Sequence, residues 1–367
     1  MTALYITYID FDDSTSGSVV RPQKMLDAFR EAGLDVKLLS GTLRFRSLKE
    51  MLKTSKSRKL KIAEINRWLN ENRPDFCYIE PNSTLIMTKA DIKLLKRLNK
   101  MKIPTAFFVR DFHYKFKQFN HTGNFLNKLK TMWIKILGRR TEKLISCVDI
   151  TYFPSVQSFP YFNYKDMRAL PPAGENLLTP KTGFSKTCIY VGGLQSHYGF
   201  DLLINSFKIL NCDPKNVFNL ILVCRKDEFN TYGSDLSSIP WLEIHHASGK
   251  ELAPLYKKSD LALIPRGNNP YNDFAISVKL FEYASYGLPI VTIKKTAMGD
   301  IIEQNQIGLV TDLSAEQFSS AIKKILDDHD FYEKFRKNTM DFLLSKNLWI
   351  HRADQVIKNL SEYQNKP

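Results

Sequence analysis

The sequence predicts an α/β protein of two doubly wound domains in tandem, and three observations support that reading. Strand-like apolar runs alternate with helix-period segments along the chain, the pattern of parallel strands joined by helical crossovers. The alternation lapses once, across Leu170–Gly183 (LPPAGENLLTPKTG), a stretch rich in Pro, Gly and Thr without periodicity, and then resumes. At 367 residues the chain is too long for one typical domain and suits two. The expected division is 1–172 and 173–345, with a terminal helix over about 346–367 packing back on the first domain.

In the first half, LYITYI (Leu4–Ile9) is a short β-rich run followed by a Ser/Gly loop at Ser14–Ser18. Arg21–Ala32 carries Met25, Leu26, Ala28 and Phe29 at helical spacing and ends near Gly33. DVKLLS, FCYIE (Phe76–Glu80), TAFFVR (Thr105–Arg110) and DITYFP (Asp149–Pro154) read as further strands, with helical stretches between them. After the break, CIYVGG (Cys188–Gly193) is a strand entering a glycine turn and FDLLINSFKIL a helix. FNLILVC, LEIHHA, DLALIP, PIVTI and IGLV are strands. ELAPLYKKS, VKLFEYASYG, Ala315–Asp327 and a final run from about Phe331 to Leu360 are helical. No repeat of 20 to 50 residues is visible.

Composition narrows the class. With 43% hydrophobic and 25% charged residues the chain reads as globular and soluble. No apolar run reaches the ~18 residues of a transmembrane helix, and MTALYITYID looks like a first strand rather than a signal peptide. A cytoplasmic location is the expectation. The five cysteines form no C-x-x-C pair and read as free, buried thiols, not a zinc site. The net charge of +15 favours anionic partners, and it is uneven. Gly41–Arg73 holds ten Lys/Arg against three acids, and His113–Lys143 eight against one.

The segment Pro265–Ile293 (PRGNNPYNDFAISVKLFEYASYGLPIVTI) carries the most chemistry. A strand ends in a polar loop, Arg266–Asp273 with Asn272 in it, at the edge where open α/β sheets place ligands. Ser277 stands near a helix start whose free N–H groups suit phosphate, Lys279 adds a point charge, and Glu282 can accept both hydroxyls of a ribose. Gly287-Leu288-Pro289 stops the helix. The bland alternative is an amphipathic helix with a surface lysine and glutamate.

The run S-x-K-x-x-E-Y-x-x-x-G-x-P-I-V resembles the donor-binding helix of GT-B glycosyltransferases, in particular the family-4-like retaining group 1 enzymes. That resemblance implies two Rossmann-like domains facing across a cleft, a nucleotide-sugar donor on the second domain with Glu282 on the ribose, and no metal or other cofactor. YVGGL (Tyr190–Leu194, with Gly192 and Gly193) is similar to the family's strand–glycine loop, LPPAGENL to its linker, and the loop holding Gly17 and Ser18, followed by Arg21, to its first-domain phosphate loop. The chain departs from the pattern in two places. Gly193 and Tyr198 stand where the family's Arg and Lys clamp the diphosphate, so the cation must come from Lys279, Arg266 or Arg225, Lys279 first. Phe274 stands where the E-x7-E pattern has its first acid, with Asp273 one residue off.

Arg110, Asp111 and His113 follow a strand end on the first domain, where the resemblance implies acceptor-side or catalytic groups. A helix start with Asp111 as N-cap is the alternative, and Glu80 is a weaker candidate of the same kind. DFDD (Asp10–Asp13) contains D-x-D but lies where this fold uses no metal. His245-His246 suits either backbone contacts to the base or packing. The basic stretches, with Trp68, Trp133, Ile134 and Ile136 among lysines, suit either an anionic membrane surface or a solvated face. No motif supports nucleic acid. The expected activity is transfer from a UDP-sugar to a surface glycan, glycolipid or glycoprotein. A nucleotide-sugar epimerase of the same fold and a silent partner subunit are the rivals. Homo-oligomerisation stays open.

Overall fold

The computed structural model describes residues 1–11, 19–42, 48–81, 87–112, 115–116, 125–181, 183–233, 236, 238–267 and 270–364; the expected sites at Gly17, Ser18 and His113 lie outside them. The chain forms two compact units, Met1–Pro171 with Trp349–Pro367, and Pro172–Leu348. Among the described residues no helix is long and apolar enough to cross a membrane.

The first unit contains, in order, β1 (Thr2–Thr7), α1 (Val20–Glu31), β2 (Asp35–Leu39), α2 (Leu48–Glu71), β3 (Phe76–Glu80), α3 (Lys89–Lys100), β4 (Thr105–Phe108), α4 (Phe125–Ile145), β5 (Ile150–Phe153) and β6 (Met167–Ala169). All strands pair in parallel in the order β2-β1-β3-β4-β5-β6. FCYIE and TAFF are buried at every position, which is why these strands read as continuous apolar runs rather than alternations. α1 lays Met25, Leu26 and Phe29 on the sheet, Phe29 meeting Tyr5, Phe76 and Tyr78. α3 starts at a capping box between Thr88 and Asp91. The edge strand β6 was not expected: three half-buried residues show neither an apolar run nor an alternation long enough to read.

The second unit contains β7 (Thr187–Val191), α5 (Phe200–Leu210), β8 (Asn219–Val223), α6 (Lys226–Tyr232), β9 (Leu242–His245), α7 (Leu252–Lys258), β10 (Leu261–Ile264), α8 (Val278–Ser285), β11 (Ile290–Ile293), α9 (Ala297–Gln304), β12 (Gly308–Thr311), α10 (Ala315–Asp327) and α11 (His329–Lys346). Its strands are also parallel, in the order β12-β11-β10-β7-β8-β9. The final helix α12 (Trp349–Gln364) belongs to the first unit, where it packs against α1.

Both orders are doubly wound. Each sheet has a topological switch point, β1/β3 in the first and β7/β10 in the second, where chain progression reverses. Such points leave a crevice outside the carboxyl ends of the strands, the usual ligand position in open α/β sheets. All five cysteines are free; Cys77, Cys188 and Cys224 are buried as expected, but Cys147 and Cys212, each just past the end of a helix, are exposed.

Candidate functional site

In the second unit, α8 begins at Ser277, whose side chain accepts from the Lys279 N–H at 3.2 Å and so caps the helix. One turn on, the Lys279 Nζ donates to Glu282 Oε2 at 2.5 Å. Tyr256, 3% exposed on α7, donates its hydroxyl to the same oxygen at 3.0 Å. Burial, and then the Glu282 charge, hold the Tyr256 phenol far above its usual range, so it stays a donor. Glu282 is thus fixed through Oε2 alone, and Oε1 makes no hydrogen bond among the described residues. A half-exposed carboxylate with one oxygen anchored and one free can accept a hydroxyl pair from a ligand. The sequence carries no short-range sign of Tyr256, which lies 26 residues upstream and meets Glu282 only through the packing of α7 beside α8.

The loop after β7 is built on close approaches. Gly192 donates its N–H to the Val223 carbonyl at 3.0 Å, and Tyr190 donates its hydroxyl to the Gly193 carbonyl at 2.7 Å. Glu228 of α6 accepts from the Leu194 N–H at 3.0 Å. A side chain at Gly193 would put its Cβ 2.5 Å from the Tyr198 ring. Gly199 holds a left-handed φ of +82°, and a Cβ there would lie 2.0 Å from the Pro265 carbonyl oxygen. The loops after β7 and β10 are therefore in contact, as neighbouring strands require. Arg266 follows Pro265, and its guanidinium stands 5.4 Å from the Tyr198 ring centroid.

The remaining expected groups scatter. Asn272 is 2% exposed and braces its own loop, donating to the Gly267 carbonyl at 2.6 Å. Phe274 is 1% exposed and packs edge-on against Tyr271, so its ring belongs to the core and stands in for no acid. Asp273 is exposed, with its carboxyl raised by partial desolvation. Arg225 stands at the start of α6, its side chain exposed and making no capping hydrogen bond. His246 donates from Nδ1 to the Cys224 carbonyl, just past β8, at 3.0 Å, while His245 pairs with Glu243.

In the first unit, Arg110 and Asp111 are about four-fifths buried, with Nε 3.8 Å from Oδ2. Residues 109–112 form no helix, so Asp111 is not an N-cap there. Phe112 pins the segment among Phe116, Tyr161 and Phe162. Glu80 is not offered to a ligand. It is fully buried, pairs with Arg21 at 3.2 Å and accepts from the Tyr5 and Tyr78 hydroxyls. Arg58, counted in the basic stretch of α2, is likewise buried, bonding Asp91 and the Thr7 carbonyl.

Residues 179–342 match the family model described as Glycosyl transferases group 1. The match spans nearly the whole of the second unit. No curated protein sequence matches the chain. Solved structures show that the GT-B fold extends beyond this domain. A glycosyltransferase from Rickettsia africae ESF-5 is 12% identical, with a TM-score of 0.67 over 100% of this chain and 99% of its own. HepE of Anabaena, crystallised with UDP-glucose, is 14% identical with a TM-score of 0.64 over 99% and 100%. The lipopolysaccharide outer core galactosyltransferase WaaB is 12% identical with a TM-score of 0.59 over 98% and 99%. Within the second unit, Glu282, Lys279, Ser277 and Arg266 lie at or just beyond the carboxyl edge of the sheet, on the loop after β10 and the helix that follows it.

Proposed function

We propose that the protein transfers a glycosyl group from a nucleotide sugar, a UDP-sugar first, to a surface-glycan, glycolipid or glycoprotein acceptor, with retention and without a metal. The carrying observation is Glu282, fixed through Oε2 by Lys279 and Tyr256 with Oε1 free, in a domain that matches the group 1 family. In this reading Glu282 takes the ribose hydroxyls and the backbone around Gly192 and Gly193 approaches the phosphates. The bond from the anomeric carbon to the diphosphate breaks as one to an acceptor oxygen forms. The departing diphosphate gathers negative charge that a nearby cation must offset. Arg110 and Asp111 are the acceptor-side groups. Resemblance to a UDP-glucose-bound neighbour supports the choice of UDP.

A thermal-shift screen of UDP, GDP, ADP and dTDP sugars, followed by transfer assays with the stabilising donor, tests this. One donor should raise the melting temperature, and its sugar should appear on an added acceptor. Stabilisation by none of them sinks the reading. A new epimer from donor alone would favour the epimerase, and binding without any turnover the silent partner.

One further observation bears on location. On α4 the exposed residues Lys128, Met132, Ile136, Arg139 and Lys143 follow steps of four, four, three and four, and so form one stripe. Met132 and Ile136 are each 48% exposed. Apolar anchors set among cations fit an anionic bilayer surface, each cation there contributing about 1 kcal/mol. Met132 was not among the expected anchors, and the side chains of Trp133 and Ile134 lie outside the described residues. The protein should sediment with anionic vesicles at low salt and leave them at high salt. Met132→Ser with Ile136→Ser should abolish sedimentation, and an unmodified protein that stays in the supernatant would end this placement.

A further inference from the structure

The chain departs from the group 1 diphosphate clamp at Gly193 and Tyr198, and the structure shows that the two departures are one change. The Tyr198 ring occupies the space that any side chain at 193 would need, with a Cβ there meeting ring carbons at 2.5 and 2.6 Å. The glycine admits the ring, and the ring lies against Arg266. Arg266 is half-buried, its Nε is buried without a hydrogen-bond partner, and no ion pair reaches it among the described residues. A guanidinium withdrawn from water with an unmet donor is costly unless an anion completes it. Its charge is felt nearby: the His197 imidazole is held below its ordinary value, by burial first and then by Arg266. Lys279 is already engaged by Glu282, and Arg225 is exposed on another strand's loop. Arg266 also stands at the switch point of its sheet, on the loop after β10 that touches the loop after β7.

We infer that Arg266, carried on the Tyr198 ring, is the cation that binds the donor diphosphate, in place of the Arg and Lys that the family pattern has at positions 193 and 198. This rests on the nucleotide-sugar reading above. A planar guanidinium can meet two phosphate oxygens at once, and stacking on an aromatic face pre-orients it for that task. A lysine at 198 would supply neither a planar pair of donors nor a ring for Arg266 to lie on.

The test is calorimetric titration of the intact protein with UDP, GDP, ADP and dTDP, each beside its own nucleoside. For the nucleotide that binds, Arg266→Ala should weaken the diphosphate roughly tenfold or more and leave the nucleoside within about twofold, since the lost interaction is charge-assisted. Arg266→Lys should recover part of the loss. Tyr198→Ala should lose diphosphate affinity. Restoring the family pair, Gly193→Arg with Tyr198→Lys, should rescue the Arg266→Ala protein, while Gly193→Arg alone should not. If Arg266→Ala keeps the original ratio of diphosphate to nucleoside affinity in a protein that still melts normally, the assignment is wrong and the nucleotide reading survives. If none of the four nucleotides binds the unmodified chain, both are overturned.

Discussion

At the switch point of the first sheet, Arg21 and Glu80 face each other with side chains 2% and 0% exposed, the guanidinium also lying 3.8 Å from the Phe108 ring centroid. At the carboxyl edge of the second, Lys279 and Glu282 are each 28% exposed and Arg266 keeps a buried Nε without a partner. Two sheets of related winding thus place charge near equivalent edges and use it differently. In the first unit both members of the pair are desolvated, and Glu80 is pushed above its ordinary value chiefly by burial, against the pull of Arg21. Such a pair is costly to break but gives little net stability. In the second unit Lys279 and Glu282 keep water contact, and Glu282 Oε1 and Arg266 Nε retain acceptor and donor capacity for something outside the chain.

The largest effect should come from breaking the sealed pair. Arg21→Ala strands the Glu80 carboxylate and should lower unfolding stability by about 3–5 kcal/mol. The double replacement Arg21→Met with Glu80→Gln should retain more stability than the single change, because no charge is left buried. Denaturant melts compare the three; a loss under about 1 kcal/mol for the single variant would show that water reaches the site. The sign of the pH effect follows from the raised Glu80 carboxyl. A raised carboxyl is most favourable when protonated, so in Arg21→Ala the deficit should shrink as pH falls towards the ordinary carboxylate range and grow as it rises through the folded value.

Next comes the open edge. Glu282→Ala should lower nucleotide affinity at least roughly tenfold, as expected for charge-assisted hydrogen bonds. Its melting temperature should fall only modestly, chiefly because the buried Tyr256 hydroxyl loses its acceptor. Unchanged affinity in calorimetry would remove Glu282 from the site. The smallest effect is expected at Lys279. Since its Nζ rests on Glu282, Lys279→Ala should weaken diphosphate and nucleoside by the same factor, about threefold, in line with an exposed ion pair. A much greater loss for the diphosphate would move Lys279 to the phosphates and reopen the division of labour with Arg266.

The strands and helices were legible where period and length agree. FDLLINSFKIL and Ala315–Asp327 form helices over the same residues that the pattern marks. The grouping of Ser277, Lys279 and Glu282 was legible because its spacing is local, at the start of α8. What escaped was what depends on distant packing. Tyr256 reaches Glu282 across two helices, and the Tyr198–Arg266 contact joins loops from two different strands. Neither shows in any window of sequence. Charge counting failed for a related reason: Arg58 sits among exposed lysines in α2 yet points inward to Asp91, since a helix in a basic stretch still needs a buried face.

The return of α12 to the first unit gives the chain an order of assembly. Trp349 lies 5.7 Å from the Arg21 guanidinium, and the helix it begins covers α1. During synthesis the residues that cover the first unit leave the ribosome only after the whole of Pro172–Leu348 has emerged. The second unit, continuous in sequence, can close while the first still waits with α1 bare and Arg21 short of cover. The first unit is therefore expected to be completed only after the second has emerged, against the usual amino-terminal-first order.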